Sequence, residues 1–318
     1  MIRLILVLAA AATISASALN WDAAMDYSDC HGGNAIIVSA PGALKSRFRP
    51  GWSDRTPVNT ASITKSITAL AWLSSFPPSE TITFRARQRP ASAFLSQSSG
   101  LEPGRRLLYG RKADLEKNLQ RLRWSTDSSF AYGPSHWEVI GSELLRHGRP
   151  VETFLTRIGI RPAAWSRDAT DRPHHSAGAH LSASDLLCLG RLVADGGRRG
   201  WRRIIPADRL QAALSPSPAN GAYGLGFWLN AAASSRSSEF DIEEALRAGS
   251  RPESWKNHCL SRLAPRDLVA MAGSGGQRVY IVPSRGLVVV RLGEGGAFRD
   301  PDFLRALFRE TSRPLVRR

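Results

Sequence analysis

The chain has 318 residues, enough for two lobes or one large domain with a sizeable core, and its 42% hydrophobic and 22% charged content excludes a largely disordered protein. The formal charge is +16, from 43 Lys and Arg against 27 Asp and Glu. The basic residues are scattered as singles and pairs (Arg47 and Arg49, Arg105 and Arg106, Arg198 and Arg199, Arg202 and Arg203), with no dense tract, zinc-finger spacing or RNA-recognition aromatic motif, so no specific nucleic-acid partner is expected, only a basic surface attracted to an acidic envelope or polyanion.

In chain order, residues 1–18 read as a secretory signal. Arg3 supplies the positive start, Leu4 to Ala12 an apolar stretch short for a bilayer span, and Ala16-Ser17-Ala18 the small-x-small cleavage pattern. Export to a periplasmic or secreted location is the expectation, with a mature chain that begins near Leu19 and carries no transmembrane segment. Asn34 to Ser39 is a β-branched run that reads as a strand, with Leu44 to Phe48 as a hairpin partner beyond Pro41-Gly42. Ile63 to Leu73 has helical spacing and is stopped by Pro77-Pro78. Helical spacing recurs over Ala113 to Leu122, Ser135 to Arg146, Val151 to Ile158 and Ser184 to Ala194. The last opens on Ser182 and Asp185, spaced as a capping box, and closes at Gly196-Gly197. Tyr223-Gly-Leu-Gly-Phe-Trp looks like part of a sheet face. Leu268 to Met271, Val279 to Val282 and Leu287 to Leu292 are strand-like, with a turn over Pro283 to Gly286, and Pro301 to Arg309 is a terminal amphipathic helix.

Strands therefore lie at both ends and helices between them. The expected fold is α+β: an antiparallel sheet formed by both chain ends with flanking helices (about 19–75 and 205–318), plus an inserted helical lobe (about 76–204). The cysteines are Cys30, Cys188 and Cys259. Three is odd, so at least one stays free or pairs between chains; a Cys30–Cys259 bridge is open, and Cys188 reads as a buried small hydrophobe. No Cys or His cluster has zinc spacing, and His174, His175 and His180 read as a loop run. Asp241, Glu243 and Glu244 share one short helix and read as solvated.

The informative stretch is Asn59-Thr-Ala-Ser-Ile-Thr-Lys-Ser, with Ser62 where a helix begins and Lys65 one turn later, on the same face. A serine alkoxide is hard to form at neutral pH; a desolvated lysine amine can take the proton, and the helix N-terminus favours developing negative charge. Alone the pattern is weak, since Ser-x-x-Lys also describes a helix cap beside a surface lysine. The context strengthens it: Phe94-Leu-Ser-Gln-Ser-Ser-Gly-Leu, then Phe130-Ala-Tyr132-Gly-Pro-Ser-His-Trp, then Gly178-Ala-His-Leu-Ser-Ala-Ser, Tyr223-Gly-Leu-Gly-Phe-Trp, and Met271-Ala-Gly273-Ser-Gly-Gly-Gln.

In that order and spacing the chain, over about residues 30 to 295, resembles the serine β-lactamase and penicillin-binding-protein superfamily, most of all the class C β-lactamase-related branch of carboxypeptidases, esterases and amide hydrolases. The resemblance implies that Ser62 is an acylated nucleophile, that Lys65 and Tyr132 share the base role, and that the backbone N–H groups of Ser62 and Ser274 bind the oxyanion. The substrate-binding third box would be Met271-Ala272-Gly273. It implies no metal or organic cofactor; the partners are a small-molecule or peptide acyl donor and water. Two departures matter. Pro134 stands where the family has the Asn of Tyr-x-Asn, and Met271 and Ala272 lack the cation and hydroxyl that hold a substrate carboxylate. Losing a charge-assisted bond to a bound ion is worth about 10- to 150-fold in binding, so an ester or uncharged amide is expected over a β-lactam. The alternatives are a true class C-type β-lactamase and a non-catalytic envelope-binding homologue.

Overall fold

A computed structural model describes residues 19–109, 114–248, 255–295 and 297–309; the secretory signal expected at 1–18 lies outside them. The centre is a six-stranded sheet in the order Trp228–Leu229, Val269–Gly273, Gln277–Val282, Leu287–Gly293, Gly33–Ala40, Ala43–Phe48, every neighbouring pair antiparallel. The chain's two ends meet in its middle, where Ile37 stands opposite Val290 and Val38 opposite Val289.

Alternation along these strands fills two cores. Ile37, Met271, Val279, Ile281, Val288 and Val290 face one way; Val38, Ala270, Ala272, Tyr280, Val282 and Val289 face the other. Both faces are covered over the inner strands, which read as mainly apolar runs, whereas the edge strand Ala43–Phe48 is polar and largely exposed. On the first face lies helix Ile63–Ser75, which also packs on helices Ser135–Arg146 and Val151–Arg157. Helix Ala183–Ala194 lies on that face too, rather than in the inserted lobe where sequence order placed it. Its Gly190 permits this: a Cβ there would come within 2.4 Å of Val288 Cγ1. It opens with the expected Ser182–Asp185 capping box. The second face is covered by Asp300–Phe308 and by helix Trp21–Cys30, which hydropathy did not announce and which Asn20 caps by accepting from the Ala23 N–H at 3.1 Å.

One open point closes and two sequence expectations fail. Cys30, Cys188 and Cys259 are all free; Cys30 is exposed and Cys259 buried, so no Cys30–Cys259 bridge forms. Asp241 is buried rather than solvated, accepting from the Asp300 N–H at 3.0 Å and the Glu244 N–H at 2.9 Å. Glu243 is half-buried and accepts from the Gly276 N–H at 2.8 Å; Glu244 is exposed.

Asp300 anchors the terminal helix under the sheet. It receives Arg278 Nε at 2.7 Å, Arg278 Nη2 at 3.1 Å, the Tyr280 hydroxyl at 2.5 Å and the Ile242 N–H at 3.0 Å. Burial alone would raise its pKa, but Arg278 overrides it and holds Asp300 below the ordinary aspartate range. Its contribution to stability is thus whole at neutral pH and is lost as pH falls through that depressed value. Asp300→Ala removes the carboxylate closest to a buried guanidinium, leaving only the half-buried Glu243 at 3.6 Å, and is expected to cost about 3–5 kcal/mol. Urea unfolding at pH 7 checks this; a loss below about 1 kcal/mol, the size typical of a surface pair, contradicts it.

Candidate functional site

Ser62 stands at the N-terminal end of helix Ile63–Ser75, and three local features put it there. Asn59 Oδ1 accepts from the Ala61 N–H at 2.7 Å, closing a turn. Ala61 sits at φ +48°, a conformation that costs a non-glycine residue about 1–3 kcal/mol and is held by its surroundings. Ser62 itself is helical in φ and ψ, and its side chain caps nothing. Its Oγ instead accepts from Lys65 Nζ at 2.8 Å. The alternative of a capping serine beside a surface lysine therefore fails, since Lys65 is only 2% exposed.

The helix is buried from Ile63 to Leu73 and riveted to the 175–179 segment. Thr60 Oγ1 donates to the Ala179 carbonyl at 2.9 Å, Thr64 Oγ1 accepts from the Ala179 N–H at 3.1 Å, and Thr68 Oγ1 donates to the His175 carbonyl at 2.8 Å. Thr64 and Thr68 are four residues apart and so share one helical face, and Thr60, ahead of the helix, makes its bond from the turn that leads into it. Lys65 joins them, donating to the Ser176 carbonyl at 2.9 Å. Sequence reasoning missed the group behind that carbonyl. Glu138 is buried on helix Ser135–Arg146; it accepts from the His175 N–H at 2.9 Å, the Ser176 N–H at 3.1 Å and Ser176 Oγ at 2.6 Å. Burial would raise the Glu138 pKa, but His175 and Ser176 override it and keep the carboxyl below its ordinary range.

Burial pushes the Lys65 amine down to about 7; Glu138 opposes this and Arg105 adds to it. A lysine of that pKa is about half neutral at physiological pH, able to accept a proton.

Tyr132 arrives from a loop between helices. It is half-buried against Tyr223 and Trp228, and Lys65 Nζ lies 5.1 Å from its ring centroid. Burial raises its phenol pKa, opposed first by the side-chain hydrogen bond with Ser62 and then by Arg105 and Arg278. Gln97 fixes this loop: its Oε1 accepts from the Gly133 N–H at 2.8 Å, its carbonyl from the Ala131 N–H at 2.8 Å, and its Nε2 donates to the Tyr223 hydroxyl at 3.0 Å. Gln97 is itself at φ +57°, a second non-glycine strain point beside the site. Pro134 opens helix Ser135–Arg146, its carbonyl accepting from the Trp137 and Glu138 N–H groups at 3.0 and 3.1 Å.

Ser62, Lys65, Tyr132 and Pro134 line one cavity of about 570 Å³ with Ala272, Gly273 and Ser274. Met271 does not join them. One residue earlier on the strand, it points to the opposite face and is fully buried in the core. Neither the Ser62 nor the Ser274 N–H donates to any described residue, so both are free to meet a ligand oxygen. Cations that no motif announced, Arg105, Arg247 and Arg278, also line the cavity. Arg278 is committed to Asp300 and to the Gly273 and Gln277 carbonyls, at 2.8 and 3.0 Å. Arg105 donates to the Tyr132 carbonyl at 3.1 Å.

No protein-family model and no curated protein sequence matches the chain. Solved structures do. A putative 6-aminohexanoate-dimer hydrolase from Bacillus anthracis is similar at TM-score 0.66 and 16% identity, over 89% of this chain and 78% of that one. A putative β-lactamase from Bacteroides dorei is similar at TM-score 0.65 and 15% identity, over 89% and 95%. A β-lactamase/D-alanine carboxypeptidase from Pseudomonas syringae is similar at TM-score 0.62 and 13% identity, over 90% and 97%. At such identities the likeness speaks for the fold: an α+β chain built as these proteins are.

Proposed function

From the premise that the chain has the β-lactamase/transpeptidase-like fold of the serine β-lactamase and penicillin-binding-protein superfamily, we propose that it is an exported serine hydrolase that works through an acyl-enzyme on an ester or uncharged amide. The observation that carries this is the 2.8 Å contact between Lys65 Nζ and an uncapped Ser62 Oγ, at the mouth of a cavity that also holds Tyr132 and the Ser274 amide. Among solved structures of this fold, hydrolase names recur, one described as a hydrolase with promiscuous acyltransferase activity.

Ser62 Oγ attacks the carbonyl carbon and passes its proton to neutral Lys65. The carbonyl oxygen gathers negative charge between the Ser62 and Ser274 N–H groups. Lys65 and Tyr132 deliver the proton to the leaving oxygen or nitrogen, which departs and leaves an acyl ester on Ser62. Water then attacks that ester, the same two groups take its proton, and the carboxylic acid leaves with Ser62 restored. The leader at 1–18 supports export, and no helix among the described residues is long and apolar enough to cross a membrane.

The substrate class is tested by comparing p-nitrophenyl acetate and butyrate with a penicillin and a cephalosporin. The strand offers Ala272 to the cavity and buries Met271, so neither supplies a carboxylate anchor. The esters are expected to have the higher kcat/KM by about 10- to 150-fold, the worth of one missing charge-assisted bond. Faster β-lactam turnover overturns the ester preference.

Glu138 sets the pH at which Lys65 works. Its negative charge favours the ammonium, so Glu138→Gln should lower the Lys65 pKa below about 7 and move the acid limb of kcat/KM to lower pH. Glu138→Asp, which keeps the charge, should restore the limb. A limb that stays in place in Glu138→Gln contradicts this tuning.

A further inference from the structure

A second feature, remote in sequence from the cavity-lining residues, concerns where the protein sits. Directly after helix Ala183–Ala194 the chain makes a small hairpin: Arg198–Arg199 pairs antiparallel with Arg202–Arg203 across the two-residue turn Gly200-Trp201. Gly200 is at φ +58°, the value a tight hairpin needs at its first turn position. All six residues are exposed, and Trp201 is 85% exposed, the most of any large hydrophobic among the described residues.

The four guanidinium groups have no carboxylate partner among the described residues. Arg198 donates to the Trp201 carbonyl at 3.1 Å, Arg199 to Cys188 Sγ at 2.6 Å, and Arg203 to the Gly196 carbonyl at 3.0 Å, while Arg202 lies 5.8 Å from the Trp201 ring centroid. Elsewhere on the surface arginines do find acids: Arg47 reaches Asp26 and Asp29, and Arg299 reaches Glu244. The hairpin is thus a tip of four arginines, none within ion-pair distance of a carboxylate among the described residues although Asp195 lies beside Arg198 and Arg199, with one bare indole at its end. Leaving a tryptophan in water has no benefit to the fold, and nothing in the core uses it.

We propose that the Arg198–Arg203 hairpin is a docking finger for an anionic lipid bilayer, with Trp201 seated at the headgroup level and the arginines on acidic headgroups. Charge complementarity points to an anionic surface. The indole selects a bilayer from among such surfaces, because tryptophan settles where an apolar and an aqueous phase meet. Each basic residue close to an anionic surface contributes about fivefold in partitioning, and the attraction fades within a Debye length, so the binding is peripheral and salt-sensitive.

The test is vesicle co-sedimentation of the protein with residues 1–18 removed, using phosphatidylcholine alone and phosphatidylcholine with phosphatidylglycerol. The processed protein should sediment with the mixed vesicles at low salt, and only weakly with phosphatidylcholine or at 0.5 M salt. Arg198→Ser with Arg202→Ser should weaken this binding about 25-fold, from two fivefold factors. Trp201→Ser should weaken it severalfold and abolish the extra tryptophan quenching caused by brominated phosphatidylglycerol. All these side chains are exposed, so the variants should unfold at the wild-type temperature and keep wild-type esterase activity. Should the double variant unfold early, Arg202→Glu alone must still lower binding more than tenfold, and failure to do so overturns the proposal. Unchanged vesicle binding in Trp201→Ser, with no loss of quenching, also overturns it. So does tighter binding to duplex DNA or heparin than to the anionic vesicles, which makes the hairpin a general polyanion contact.

Discussion

Ser62→Ala is expected to lower ester hydrolysis by on the order of 10⁶-fold, because no other hydroxyl in the cavity has the Lys65 amine in hydrogen-bond contact. The same substitution should leave stability almost untouched. An N-cap serine replaced by alanine costs about 0.5–2 kcal/mol, but the Ser62 side chain caps nothing. Activity and stability therefore separate the two roles the sequence pattern allowed. A capping serine predicts a less stable, fully active variant, and a nucleophile predicts a stable, inactive one. Thermal unfolding and p-nitrophenyl butyrate hydrolysis on the same preparation decide between them.

Lys65→Ala is expected to lower kcat/KM by about 10²–10⁴-fold, the usual worth of a positioned general base. Its pH dependence carries more information than its size. Lys65 is held down to about 7 by burial, so the wild-type rate should rise with pH and level off above that value, as the amine loses its proton. The inflection should vanish in Lys65→Ala. Lys65→Arg should be just as inactive although it keeps the positive charge, because a guanidinium does not deprotonate. Lys117→Ala, on an exposed helical face, serves as the silent control. A Lys65→Ala enzyme that keeps more than about a tenth of the wild-type rate removes Lys65 from the base role.

The parts of this molecule that were legible in the sequence are those with a local physical signature. Val279 to Val282 and Leu287 to Leu292 announce strands because both faces of the sheet are covered, so the runs are apolar apart from the buried Arg291. Ser182 and Asp185 announce a helix start because the capping box is built from neighbours. Ser62 and Lys65 are one turn apart, so their contact follows from helical geometry alone. The parts that were not legible depend on partners distant in sequence. Asp241 reads as solvated in a short acidic helix and is buried because Asp300, 59 residues on, donates to it. Glu138 is one carboxylate in an ordinary helix until the chain brings the His175 and Ser176 amides to it. Gln97 lies in the stretch Phe94 to Leu101, yet nothing local shows that it holds the Tyr132 loop, where it accepts from the Gly133 N–H. Met271 and Ala272 read as one box in sequence, but strand alternation sends them to opposite faces, so only Ala272 reaches the cavity. The position of helix Ala183–Ala194 was missed for a related reason: its apolar stripe shows that it must pack, and only the glycine at 190, meeting Val288, reveals against what.

The central claim is that Ser62 is acylated during turnover. The most direct measurement is intact-protein mass spectrometry after treatment with a fluorophosphonate, followed by peptide mapping. A single phosphonyl adduct on Ser62 is predicted in the wild type, formed faster as pH rises through about 7 and slowed in Lys65→Ala, with none in Ser62→Ala. A wild-type protein that stays unmodified, or carries the adduct on another residue while Ser62→Ala still labels, contradicts the account.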